Sequence, residues 1–280
     1  MSRLCLYACL ACLFGGPGVA SADPFTYAVT DTGLFGSLDL GTGAFTQIGG
    51  PHPGAYAGLG NLADGTLVAV DGANNFVQID RTTGVVTTIG PTGISAVVSA
   101  SLTTGQQFAI DNLNRLFQIN PATGAATLVG PTGIPGITGG FANALGGNAT
   151  SLYYIYEQTG PPPISSTLYQ IDPNTGLATL IGPTGTAGLA GAGFADGTFF
   201  AYSSDFPSPT THRIFAIDLG TGAATGGPTY PQTFQIFGSN QGLPVPTQGG
   251  GEIPEPSTLA LFGLGTLGLL GYGWWRRLAR

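Results

Sequence analysis

One phrase returns five times between residues 34 and 230: LFGSLDLGTGAFTQIGG, FVQIDRTTGVVTTIGPTG, LFQINPATGAATLVGPTG, LYQIDPNTGLATLIGPTG and IFAIDLGTGAATGGPTY. Its turn glycines, Gly43, Gly84, Gly124, Gly176 and Gly222, are spaced 41, 40, 52 and 46 residues apart. A period of this size is the mark of a repeat architecture. The repetition also answers a problem of composition. With 48 glycines and 21 prolines in 280 residues, the chain lies near the ~25–30% at which unpatterned sequences stop folding.

Each unit reads as strands joined by turns. Leu168-Tyr169-Gln170-Ile171 alternates apolar and polar residues, Asp172-Pro173-Asn174-Thr175-Gly176 supplies turn chemistry, and a β-rich run follows from Leu177 to Ile181. Upstream lie two more short strands, as in GLGNLADGTLVAVD and GAGFADGTFFAYSSD, each turning at Ala-Asp-Gly. Four strands make one propeller blade. The expected fold is therefore all-β, a β-propeller of about five four-stranded blades, with six blades or a parallel β-helix as the alternatives. The blades fall at 54–90, 94–130, 136–182 and 187–228. The first unit, 25–49, lacks its innermost strand, and Thr233–Phe237 is expected to supply it and close the ring.

The two ends read as addresses. Arg3 precedes an apolar run from Leu4 to Phe14, and Ala20-Ser21-Ala22 is a small-residue cleavage pattern. Residues 1–22 thus read as a secretory signal peptide, with Ala20 and Ala22 setting the cut. Cys5, Cys9 and Cys12 all lie upstream of it, so the exported chain is expected to carry no thiol chemistry. Residues 23–240 form the repeat domain, and 241–252 form a Pro/Gly-rich linker. Thr258–Trp275 is an uncharged stretch of 18 residues, about 27 Å as a helix, which is enough to cross a bilayer core. Arg276, Arg277 and Arg280 follow it and should stay cytoplasmic. Gly263, Gly265 and Gly268 spell GxGxxG within that span, but without the preceding strand and following acid of a dinucleotide site.

The tail IPEPSTLALFGLGTLGLLGYGWWRRLAR, residues 253–280, combines Pro254-Glu255-Pro256, an apolar span and an arginine cluster in order. It resembles the PEP-CTERM sorting signal of Gram-negative bacteria, also known as the ice-binding protein C-terminal domain. The resemblance implies Sec export, transient inner-membrane anchoring, recognition by an exosortase and delivery to the cell surface or the exopolysaccharide matrix. Pro254, Glu255, Pro256 and the three arginines would form the sorting motif. An ice-binding activity would be implied by the tail alone, and the body shows no flat threonine array to support it.

The body offers little to a catalytic reading. Residues 23–244 hold 12 acids against Arg81, Arg115 and Arg213, with no lysine anywhere in the chain. Such a balance excludes nucleic acid as a partner. The acidic position four before each turn glycine, Asp39, Asp80, Asn120, Asp172 and Asp218, reads as a turn cap, the alternative being a ring of calcium ligands. Asn120 favours the cap, since it keeps the oxygen and loses the charge. Asp31, Asp71, Asp111 and Asp205 end the preceding strands and are the weaker metal candidates; apart from calcium there, no cofactor is expected. His52 and His212 read as loop residues. Tyr153, Tyr154, Tyr156 and Tyr202 read as packing between blades, with a sugar-stacking surface as the alternative. The sum is an exported, non-catalytic surface or matrix protein with a binding or structural role. The rival is a metal-assisted hydrolase or lyase using aspartates at the ring mouth.

Overall fold

The computed structural model describes residues 25–134, 143–157, 166–203, 211–231 and 233–240. The signal cleavage residues, Asp205, the linker, the membrane span and the sorting motif lie outside them.

Among the described residues, twenty strands form five antiparallel sheets of four. The first sheet contains β1 (Phe25–Thr30), β2 (Phe35–Asp39) and β3 (Phe45–Gln47). The second runs from the axis outward as β4 (Tyr56–Asn61), β5 (Leu67–Asp71), β6 (Asn75–Ile79) and β7 (Val86–Pro91). The third is β8 (Ala96–Ser101), β9 (Gln107–Asp111), β10 (Arg115–Ile119) and β11 (Ala126–Pro131). The fourth is β12 (Asn143–Gly147), β13 (Leu152–Glu157), β14 (Ser166–Ile171) and β15 (Ala178–Pro183). The fifth is β16 (Leu189–Ala195), β17 (Thr198–Ser203), β18 (Arg213–Ile217) and β19 (Ala224–Thr229). The last strand, β20 (Ile236–Asn240), joins the first sheet, whose order is β20-β1-β2-β3. This is a five-bladed β-propeller closed by its two terminal strands.

Closure comes from 236–240 rather than the expected 233–237. Tyr27 pairs with Asn240, Ala28 with Ser239, Val29 with Gly238 and Thr30 with Ile236, with Phe237 bulged out of the register. The cause is space at the axis. A Cβ on Gly238 would stand 2.5 Å from the Leu59 nitrogen, and one on Gly193 would stand 2.1 Å from the Ser239 oxygen. Only small residues let strands approach this closely. Phe234, too large for the axis, packs instead against Phe45 and Tyr230, at centroid distances of 4.8 and 6.1 Å.

The core lies between blades. Strands β5, β9 and β13 are buried along their whole length, as expected of second strands covered on both faces. Each outer hairpin of blades two to four carries the same bulge: Phe76 faces Gly90 while Val77 faces Thr88, leaving Ile89 as the extra residue. Val129 and Ile181 occupy the same place in the next two blades. A bulge increases local twist, which turns each outer strand across the rim.

That twist lets the outer strands meet end to end. Thr92, Thr132 and Thr184 of the repeated Gly-Pro-Thr-Gly phrase each accept a hydrogen bond on their carbonyl from the next blade's outer strand. The donors are the amides of Ala126, Ala178 and Ala224, at 3.0, 3.0 and 2.9 Å. Each threonine hydroxyl also donates to a carbonyl in its own blade, on Asn74, Asn114 and Ser166, at 2.8, 2.7 and 3.0 Å. The phrase is therefore the seam between blades.

Candidate functional site

Antiparallel blades give the ring two faces. One carries the hairpin turns and the β4–β5 type connections. The other carries the far ends of β1, β5, β9, β13 and β17 together with the starts of the inner strands.

On the turn face the repeated acidic residues engage their own backbone. Asp39 Oδ1 accepts from the amides of Gly41 and Thr42, at 2.8 and 2.9 Å. Asp80 Oδ1 accepts from Thr82 and Thr83, and Asp218 Oδ1 from Gly220 and Thr221. Asp172 Oδ1 accepts from Asn174, and Asn120 Oδ1 from Ala122 at 2.9 Å. The loop closes onto a glycine in the left-handed region, φ between 71° and 84° at the five positions, where other residues are strained. The amides beside Asp80 and Asp172, and the Thr221 hydroxyl and amide beside Asp218, hold these carboxyls below the usual aspartate range. In the second blade this face also has a cavity of about 170 Å³ lined in part by Asp64, Gln78, Asp80 and Arg81.

The opposite face is irregular. The register places Thr30, Asp71, Asp111, Tyr156 and Ser203 at equivalent strand ends, with Glu157 one residue beyond the blade-four position. Asp31 stands one residue beyond its position and accepts on Oδ1 from the Gln235 amide, at 2.8 Å, tying the closing segment to the first blade. Asp71 Oδ1 accepts from the amides of Ala73 and Asn75, at 2.9 and 2.8 Å, and Oδ2 from the Asn75 side chain. Asp111 Oδ1 accepts from Leu113 and Arg115, while Oδ2 is paired with the Arg115 guanidinium. Thr30 Oγ1 and Ser203 Oγ take the amides of Leu34 and Arg213 at the corresponding places. Among the described residues, no three histidine, cysteine or acidic side chains gather in a way that could hold a metal ion.

Glu157 is the residue that counting aspartates misses. It is buried, and its Oε2 accepts from the Gly188 amide at 2.7 Å. Its Oε1 and the Ser166 hydroxyl opposite it are sealed from solvent without a hydrogen-bond partner. Burial pushes this carboxyl above the usual glutamate range, against the weaker pull of the Gly188 amide.

At the axis the ring leaves a cavity of about 50 Å³, lined by Tyr56, Ala57, Val97, Asn143, Ala190 and Phe237. It has room for one or two water molecules and none for a sugar ring. Tyr56 packs its ring 5.4 Å from that of His52. Its hydroxyl and His52 Nδ1 are buried without a partner, and burial, with Asp71 nearby, pushes the phenol up to about 12. His212 is buried, with Nδ1 3.3 Å from the Pro231 carbonyl oxygen. Tyr153, Tyr154, Tyr156 and Tyr202 are all buried, so they form no stacking surface for sugars. Tyr154 donates toward Asn114 and Asn143, and Tyr202 donates to Ser239 at 2.7 Å.

The comparisons bear on the tail and on the fold separately. The family model for the PEP-CTERM protein-sorting motif matches residues 252–277. The tail carries that sorting motif. A PEP-CTERM motif implies export to the cell surface or extracellular space in bacteria, through recognition by an exosortase-type system. No curated protein matches the chain. Among solved structures the chain is similar to one in the nidogen/laminin complex, at 12% identity and a TM-score of 0.51, over 78% of this chain and 97% of the other. It is also similar to TolB from Acinetobacter baumannii, at 15% identity and a TM-score of 0.46, over 78% of this chain and 56% of the other. At such identities the likeness is one of fold alone.

Proposed function

We propose that this is an exported surface or matrix protein, in which a signal peptide at 1–22 and the PEP-CTERM tail deliver a non-catalytic propeller with a binding or structural role in the exopolysaccharide layer. The observation that carries the reading is the sorting motif following a closed repeat domain. The geometry supports the non-catalytic part in one respect. Of the described acids at the ring mouth on which the hydrolase or lyase reading depends, Asp71 and Asp111 spend both oxygens on neighbouring amides, Asn75 and Arg115, and Asp31 commits Oδ1 to the Gln235 amide.

Two measurements test it. Intact mass of the secreted protein should show loss of residues 1–22 and of the chain beyond the Pro254–Pro256 region, and a secreted form retaining Trp274 would contradict sorting by cleavage. Sedimentation with the producer's own exopolysaccharide should carry the protein into the pellet. Hydrolysis or eliminative cleavage of that polymer by the pure protein, lost on Asp71→Ala and dependent on calcium, would establish the enzyme reading instead.

A further inference from the structure

In blades two, three and four an acid near the end of the second strand is met in three ways. It faces the first residue of the next strand: Asp71 with Asn75, Asp111 with Arg115, and Glu157, one residue further along in register, with Ser166. Asn75 offers an amide donor and Arg115 a full positive charge. Ser166 offers a hydroxyl that makes no hydrogen bond, and the carboxyl oxygen beside it makes none either. Glu157 is also sealed more completely, at 1% exposure against 7% for Asp71.

An ionised carboxylate in such a place lacks what buried charges need. Taking it out of water costs several kcal/mol unless a cation or several donors replace the solvent, and the donor in place is the single Gly188 amide. Among the described residues no arginine pairs with it, the one ion pair being that of Arg115 with Asp111. Protonation removes the charge, and the resulting O–H can donate to the Ser166 hydroxyl oxygen while Oε2 keeps the Gly188 amide. One proton thereby serves both unpaired atoms.

The position makes this more than a local detail. Glu157 ends the second strand of blade four, and Gly188 leads directly into β16, the innermost strand of blade five. The bond between them spans the junction of two blades. We infer that Glu157 is a proton-dependent joint between blades four and five, seated when its carboxyl is neutral and destabilising the junction when the carboxyl ionises, because the Gly188 amide alone replaces the water that a carboxylate loses. The direction of linkage follows. A carboxyl whose folded affinity for the proton exceeds its unfolded one contributes stability in full below the ordinary glutamate range, and loses it as pH rises through the folded value.

The test uses the full chain, which has three glutamates, Glu157, Glu252 and Glu255. In protein labelled with [13C]glutamate, the carboxyl resonance absent from Glu157→Gln should titrate at a higher pH than the other two. In melting curves, Glu157→Gln should match the wild type at pH 4 and exceed it by about 2–4 °C at pH 8. Co-titration of all three glutamates would overturn the joint, as would melting curves that stay parallel across the range. Calcium that raises the melting temperature of the wild type but not of Glu157→Gln would also overturn it, by making the site one for a metal ion.

Discussion

The two faces of the ring obey different rules. On the turn face, five hairpins repeat one solution: an acid or asparagine accepts amides from its own loop, and a glycine four residues on takes the left-handed backbone. On the other face, the equivalent position is threonine, aspartate, aspartate, tyrosine and serine in turn. Where the chain only has to reverse, local chemistry suffices and the repeat stays intact. Where five blades meet, each position answers to its own neighbours.

Breaking the ring where the blades converge should have the largest effect. Gly238→Val would drive a side chain into the backbone of Leu59 and Gly58 and should cost more than about 4 kcal/mol, read as loss of the cooperative thermal transition in circular dichroism. Next comes the buried network of the irregular face. Tyr154→Phe removes the hydroxyl shared with Asn114 and Asn143 and should cost about 1–3 kcal/mol in urea unfolding. The seam should be weaker: Thr132→Val deletes the bond to the Asn114 carbonyl, for about 1 kcal/mol. The turn face should respond least, with Asn120→Asp changing stability by less than about 0.5 kcal/mol, because the accepting oxygen is retained. The faces should also part company in acid. Asp80, Asp172 and Asp218, held below the usual range by their loops, contribute stability above it that is lost as pH falls through their folded values. Glu157 moves the opposite way.

The same division explains what could be read from the chain directly. Hairpin and blade number were legible because the turn phrase recurs and each recurrence is a local event. The closing strand was displaced by three residues, because strand propensity favours Thr233–Phe237 while the crowded axis admits Gly238 and Ser239. The strand-end series was half legible. Asp71 and Asp111 align, but Thr30, Tyr156 and Ser203 share their place through sheet register alone, and Glu157 stands one residue past it. The tyrosines were divided between packing and sugar contact, and burial assigns them to packing. The Gly-Pro-Thr-Gly phrase was visible as a repeat, yet its role as an inter-blade seam needed the carbonyl partners of Thr92, Thr132 and Thr184.

The terminal strands have a mechanical consequence. Because β20 is held by β1 within its sheet and seated against β4 and β16 at the axis, a pull transmitted through Asn240 loads the whole annulus before any single blade. Rupture should begin at that lock and leave four intact sheets behind it, so extension under force should start with one early release of about five residues and continue in steps the length of a blade.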